Sequence, residues 1–149
     1  MKGFPDLPPI WFAGFAAGAW GLSRTLPLIR FDNPVTDLIG ALMILGGIGL
    51  ALWSLYWFRR RRTTFEPHHT PTALIVEGPF RLSRNPIYVG LVAILAGYAL
   101  RLGTLTPLLL VPVFWWVLHR RFALPEEAGL RAAFGAEAEA YIAATRRWL

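Results

Sequence analysis

Between residues 35 and 58 the chain reads VTDLIGALMILGGIGLALWSLYWF, with Asp37 as its one charged side chain. As a helix, about 24 residues rising about 1.5 Å each outreach a hydrocarbon core of about 30 Å. Four arginines, Arg59 to Arg62, follow directly. A stretch this long and apolar is matched by a bilayer rather than by the core of a small soluble domain. The composition agrees, with 55% hydrophobic residues, 16% charged residues and seven tryptophans. Three further apolar segments cover residues 10–29, 86–100 and 102–118.

The last two segments are short. About 16 residues separate Arg84 from Arg101, or roughly 24 Å of helix, so both need their flanking arginines to snorkel toward the headgroups. They read as a helical hairpin turning at Arg101-Leu102-Gly103, in preference to a re-entrant loop. The first segment reads as an anchor. A cleaved leader is the alternative, but only Lys2 charges its n-region, Asp6 offsets it and Pro8-Pro9 follows. The expected fold is therefore all-α and integral to the membrane: about four transmembrane helices in one domain over residues 1–149, followed by a cytoplasmic amphipathic helix.

The formal net charge of +6 would point to nucleic acid in a soluble protein. Here the positive charges sort by loop. Arg59 to Arg62, Arg81 and Arg84 lie between the second and third segments, and Arg120, Arg121, Arg131, Arg146 and Arg147 follow the fourth. Such a distribution is the positive-inside pattern. It puts both termini and the central loop in the cytoplasm, and Arg30-Phe31-Asp32 with Arg101 on the other side. Topology accounts for most of these arginines without any nucleic-acid partner. The chain has no cysteine, which excludes disulfides, thiolate catalysis and cysteine metal ligands.

Small residues within the apolar segments, Gly14 and Gly18 in the first and Gly46, Gly47 and Gly49 in the second, allow helices to approach closely. Gly47-Ile48-Gly49 lacks the preceding strand that a dinucleotide-binding turn requires. Trp11, Trp53, Trp57, Trp115, Trp116 and Trp148 fall near segment ends, where aromatic side chains anchor at the interface. After the fourth segment the sequence PEEAGLRAAFGAEAEAYIAATRRWL repeats apolar residues at three or four, through Leu130, Phe134, Ala138, Tyr141 and Ile142, as an amphipathic helix does. Pro125, Glu126 and Glu127 suit its first turn and Arg146-Arg147 its last, so capping and the helix dipole explain these charges as well as a site would.

The stretch GPFRLSRNPIYVG, residues 78–90, is harder to explain by topology alone. Pro79 and Pro86 cannot donate backbone hydrogen bonds and disfavour helix in the residue before them. Asn85 is thus expected to be extended at the mouth of the third segment, with Pro86 in the first helical turn and Tyr88 and Gly90 close behind. Irregular polar backbone at that depth belongs where protein or a water-filled cavity surrounds it. A helix cap with an interfacial tyrosine is the plainer alternative.

In order, this stretch, a two-helix hairpin and PEE…LRAAFGAEAEAYIAATRRWL resemble the isoprenylcysteine carboxyl methyltransferase and phospholipid methyltransferase group of integral membrane enzymes. Those enzymes carry G-x-Y/F-x-x-x-R-H-P-x-Y-x-G at the start of a transmembrane helix and a paired glutamate before a segment of F-G-x-x-Y-x-x-Y character. The likeness covers about residues 63–149. It implies methyl transfer from S-adenosylmethionine at the cytoplasmic face to a lipophilic, membrane-associated acceptor, whether carboxylate, amine or thiol, that arrives from the membrane lipid.

Carried over by position, the resemblance implies cofactor contacts at Thr72, Ala73, Leu74 and Ile75, at Gly78 and Phe80, at Asn85, Pro86, Ile87, Tyr88 and Gly90, and at Glu126 and Glu127. It implies catalytic roles for Asn85, Tyr88, Glu126 and Arg121. In this chain Asn85 stands in place of the family's histidine, which removes a titratable group and keeps a donor and an acceptor. Phe80 stands in place of the commoner tyrosine. In-line methyl transfer demands alignment and exclusion of water and needs no metal. His68, His69 and His119 lack metal-ligand spacing, so no metal is expected. The competing reading is a non-catalytic four-helix membrane protein, a small transporter or assembly factor; against a coupled transporter, no acidic residue lies within the spans apart from Asp37 at an edge.

Overall fold

The computed structural model describes residues 6–61 and 73–149, and within them every regular element is helical. Helix α1, Pro8–Thr25, starts on its two prolines, which suit a first turn whose N–H groups have no helical acceptor. Helix α2, Pro34–Arg60, is capped by Asn33, whose side-chain oxygen accepts from the Val35 and Thr36 amides at 3.0 Å each. A 3₁₀ turn, Gly78–Arg81, leads to helix α3, Pro86–Arg101. Helix α4, Leu105–Phe134, is the longest at 30 residues. The short α5, Ala136–Ala144, ends the regular structure. Both α2 and α4 are long and apolar enough to cross a membrane. Their outer faces expose Leu38, Leu42, Leu45, Leu52, Val113 and Trp116, an apolar surface suited to lipid.

Helices α2 and α3 run antiparallel and touch through glycines. A Cβ added to Gly40 would stand 2.6 Å from the Gly97 carbonyl oxygen, and one added to Gly47 would stand 2.6 Å from that of Gly90. On each helix the two glycines, Gly40 and Gly47 or Gly90 and Gly97, lie seven residues apart, about two helical turns, so both contacts fall on one stripe. Of the five glycines named in the first two apolar segments, Gly47 alone has this role, and its partner Gly90 belongs to the motif at residues 78–90. Gly14, Gly46 and Gly49 have open space beside them, and Gly18 meets only Leu110.

The amphipathic segment differs from the expectation of a separate terminal helix. Its first part continues the fourth apolar segment through a π turn at His119–Ala123. Pro125 can neither donate to the Arg121 carbonyl nor pack its ring against it, and the widened turn lies immediately before that proline. The second part is cut off by Gly135, whose φ of 51° is open to glycine and strained for other residues. Ala138 and Tyr141 of α5 are nevertheless buried, so the apolar periodicity reports real packing on both sides of the break.

The two ends of the bundle carry different connections. At one, the α1–α2 link lies along the α3–α4 turn: the Phe31 amide donates to the Gly103 carbonyl at 3.0 Å and the Leu105 amide to the Ile29 carbonyl at 2.9 Å. At the other, Asp6 pairs with Arg121 at 2.8 Å, which joins the start of α1 to the part of α4 that carries the π turn. The end of α2, the 3₁₀ turn, the start of α3 and the chain after α4 gather there too. Of the arginines expected to share a side, those among the described residues lie toward this end; Arg62 lies outside the described residues.

Candidate functional site

Gly78 opens the 3₁₀ turn with a φ of 60°, and its missing side chain makes room for the indole edge of Trp57. The turn buries Pro79 and Phe80. Phe80 forms an apolar cluster with Ile75 and Tyr141, flanked by Trp57, Phe58 and Leu74. The Tyr141 hydroxyl donates to the Phe80 carbonyl at 2.8 Å, and burial holds this phenol above its usual pKa. Phe80 and Ile75 thus serve as the floor on which α5 docks. Ala73 and Leu74 are half-buried beside it; Thr72, His68 and His69 lie outside the described residues.

Asn85 caps α3 with φ −127° and ψ 54°, a conformation short of the fully extended one expected before proline. Its amide donates to Ser83 Oγ at 3.1 Å, and its side-chain Nδ2 donates to the Arg147 carbonyl at 3.0 Å. The Arg84 amide donates to the Arg146 carbonyl at 2.9 Å, and Ser83 Oγ to the Arg147 carbonyl at 3.2 Å. Residues 145–148 are therefore strapped along the loop that precedes α3. Pro86 and Ile87 are buried at the head of that helix, while Gly90 belongs to the contact with Gly47 described above.

One turn into α3, the buried Tyr88 donates its hydroxyl to Glu126 Oε1, with the Phe122 ring 6.1 Å away between centroids. Two residues of the two motifs, 38 positions apart, are thus brought together by the antiparallel packing of α3 on α4. The adjacent Glu127 faces elsewhere. Its side chain is 3% exposed, and Arg147 grips it with Nε at 2.5 Å from Oε1 and Nη2 at 2.9 Å from Oε2. That hydrogen bonding raises the pKa of Arg147.

Arg84 completes the cluster at 9% exposure. Its Nη1 is 3.2 Å from Glu127 Oε1, yet neither Nη1 nor Nε has a hydrogen-bond acceptor among the described residues. The contact is an attraction between charges without hydrogen-bond alignment. Burial lowers the pKa of Arg84 more than Glu127 raises it. Nearby, His119 stacks on Trp115 at 5.4 Å, and Trp148 packs against both. His119 Nδ1 and Trp148 Nε1 are also buried without partners among the described residues.

A family model described as phospholipid methyltransferase matches residues 35–137, more than half of the chain. The chain belongs to the phospholipid methyltransferase family. The match takes in both motifs, the glycine crossing and the Tyr88–Glu126 pair, and it ends before Tyr141 and Arg147. No curated protein and no solved structure matches the chain. Membership implies methyltransferase activity on membrane substrates, which accords with two helices long enough to span.

Of the residues assigned by resemblance, the structure gathers Asn85, Pro86, Ile87, Tyr88, Glu126 and Glu127 around the head of α3. Arg121 is not among them: its guanidinium binds Asp6 and lies 5.2 Å above the Trp11 ring, because the turn that carries it faces the start of α1. Two arginines that sequence reasoning set aside are present instead. Arg84 is the arginine of the first motif, where R-H-P aligns with Arg84-Asn85-Pro86, and passes for a topology charge; Arg147 passes for a complement to a helix dipole. The available signal for Arg84 was the motif's own arginine, and for Arg147 only its place in the tail.

Proposed function

We propose that this family member transfers a methyl group from S-adenosylmethionine to a lipophilic acceptor at the cytoplasmic face of the membrane, in a site formed by the residue 78–85 loop, the head of α3 and the Phe122–Glu127 turn of α4. The observation that carries the reading is the Tyr88–Glu126 hydrogen bond, which joins both motifs of a phospholipid methyltransferase at one point. The side chains present suit a sulfonium amino acid: a carboxylate at Glu126 for an ammonium, with Glu127 already held by Arg147 and Arg84, aromatic faces at Tyr88 and Phe122 for positive sulfur, and buried donors without a hydrogen-bond acceptor among the described residues at Arg84 and Trp148.

When bound, the cofactor supplies an activated methyl group. The chain's part is alignment and the exclusion of water. Phe122, Tyr88 and Ile87 belong to one buried apolar cluster with Phe114 and Leu118, which keeps water from the reacting atoms. The Tyr88 hydroxyl holds Oε1 of Glu126 and leaves Oε2 to face a ligand. For an amine or thiol acceptor, the proton displaced as the new bond to carbon forms passes to Oε2; a carboxylate acceptor has none to lose. Asn85 acts through hydrogen bonding, since it cannot take up a proton.

The test is calorimetric titration of the detergent-purified chain with S-adenosylmethionine, followed by incorporation of labelled methyl into lipid fractions. Glu126→Gln is expected to weaken binding or turnover about tenfold or more, the scale of a charge-assisted contact, with little change in melting temperature. Absence of binding by the unaltered chain overturns the reading.

We further propose four spans with both termini cytoplasmic, supported by the gathering of arginines at one end. Single cysteines introduced at Asp32, His69, Gly103 and Ala144 should label from opposite sides with an impermeant reagent, 32 and 103 from one and 69 and 144 from the other. Labelling of 69 and 103 from the same side refutes this topology.

A further inference from the structure

The end of the bundle that gathers the arginines carries more positive charge than it settles internally. Arg61 pairs with Glu77, Arg121 with Asp6, Arg131 with Glu139, and Arg84 and Arg147 with Glu127. Arg59, Arg60, Arg81, Arg120 and Arg146 are exposed and make no ion pair among the described residues. Of the nine acidic residues in the chain, Asp32 and Asp37 flank the opposite turn and Glu126 is held by Tyr88. That leaves Glu137 and, outside the described residues, Glu66. Two carboxylates cannot neutralise five guanidiniums. Positive-inside sorting accounts for the loops that hold these arginines; it does not require that the folded chain leave five of them unpaired.

Three of the five stand at one depth. On α2 the exposed Tyr56 precedes Arg59 and Arg60 by a helical turn, and on α4 the exposed Trp116 precedes Arg120 by four residues. Exposed tryptophan and tyrosine at helix ends sit at the level of lipid headgroups, so the arginines one turn beyond them, about 5.4 Å on, reach the phosphates. Arg60 is already ordered for this. Its guanidinium lies 5.2 Å above the Trp57 ring and its Nη1 donates to the Tyr56 hydroxyl at 3.3 Å, and a side chain held in place loses little freedom on binding. The opposite end is close to balanced, with Arg24, Arg30 and Arg101 against Asp32 and Asp37.

We propose that this end is a docking surface for anionic phospholipid: the phosphates of net-negative headgroups bind Arg59, Arg60 and Arg120 from the membrane side, as a lipid partner distinct from the methyl acceptor. None of these three side chains shares a hydrogen bond or an ion pair with Tyr88, Glu126 or Glu127. A zwitterionic headgroup brings its own cation beside the phosphate, so only a net-negative lipid relieves the surplus. A nucleic acid would have to pass the headgroups to meet side chains one turn from the aromatic band. The proposal rests on the spanning arrangement and not on methyl transfer; cysteine labelling tests the former by itself.

The experiment melts the full chain in detergent, with no methyl donor present, at rising mole fractions of phosphatidylglycerol or of phosphatidylcholine with the same acyl chains. Phosphatidylglycerol should raise the melting temperature at the lower mole fraction, and added salt should weaken its effect. An arginine at an anionic surface is worth about fivefold in binding. Combining Arg59→Gln, Arg60→Gln and Arg120→Gln should therefore move the midpoint of the phosphatidylglycerol response upward by about tenfold or more and leave the phosphatidylcholine response in place. Lysine at the same three positions should retain most of the response, because the charge is kept. Arg24→Gln with Arg30→Gln, at the opposite end, should not change it.

Equal responses of wild type to the two lipids overturn the proposal, as does a phosphatidylglycerol response that survives in the triple glutamine variant or is lost equally in the opposite-end variant. If the triple variant does not fold, Arg60→Gln and Arg120→Gln taken singly should each weaken the response by about threefold to fivefold, and no change in either overturns the proposal. A single-stranded oligonucleotide that raises the melting temperature as strongly as phosphatidylglycerol assigns the surface to nucleic acid and overturns it as well.

Discussion

The two ends of the helix bundle use the same side chains to opposite effect. At the α1–α2 end, Arg101 pairs with Asp37 at 2.7 Å while both are about half exposed, and backbone hydrogen bonds between the two turns hold the structure closed. At the other end, Glu127 sits between Arg84 and Arg147 almost out of water, and several donors around it have no acceptor. An exposed pair is screened by water and contributes roughly 0–1 kcal/mol. A buried cluster costs several kcal/mol to desolvate and recovers that only if every donor is met. The first end is organised for closure, with Thr104 Oγ1 its one buried polar atom without a partner among the described residues. The second concentrates such atoms, at Arg84, His119 and Trp148.

The difference between the two ends is largest at Glu127. Replacing it with alanine strands the buried guanidinium of Arg84 and the partly exposed one of Arg147, and removal of one partner from a buried pair costs about 3–5 kcal/mol. Because Arg147 can turn partly to solvent, the lower part of that range is expected. A melting curve of Glu127→Ala in detergent should show the loss as a large drop in melting temperature, and a change within error would mean that the cluster is not intact.

The glycine crossing sharpens it. Leucine at Gly97, near the closed end, or at Gly90, near the site, would push α2 and α3 apart, since a Cβ at Gly90 already falls 2.7 Å from the Gly47 carbonyl oxygen. Overpacking of this kind costs about 1–3 kcal/mol. Both variants should lose similar stability by thermal melting, but only Gly90→Leu should also weaken S-adenosylmethionine binding, because it displaces the turn that carries Tyr88. Equal effects on binding would show that the two ends are not separable.

The smallest effect is expected at Asp37→Ala, which removes the exposed pair with Arg101. Stability should change by no more than about 0.5 kcal/mol, and less still at high salt. Donor binding should be untouched. A larger loss would mean that the α1–α2 end, too, depends on its charges.

Much of this molecule is readable from its residues alone. Pro34 and Pro86 open helices where a proline is tolerated, the apolar runs mark α2 and the hairpin of α3 and α4, and most arginines of the described loops lie at one end, with Arg30 and Arg101 at the other. The motif residues Tyr88 and Glu126 could be placed near each other by resemblance. These features depend on local chemistry, on the missing N–H of proline, the length of an apolar run or the sign of a charge, and local chemistry survives in a one-dimensional record.

What only the tertiary structure decided is direction. Whether Gly46 or Gly47 meets α3 depends on how α2 is rotated, and one residue turns the contact by about 100°. Whether Arg121 or Arg84 joins the carboxylates depends on the side of the helix or loop from which each projects: Arg121 turns to Asp6, whereas Arg84 turns inward to Glu127. The partner of Glu127 is 20 residues away at Arg147, across the break at Gly135, where no helical periodicity relates the two. A sequence states which charges exist; the packing of α5 and the path of residues 145–148 determine which of them are deprived of water, and that deprivation makes the same arginine a surface charge in one place and a candidate binding group in another.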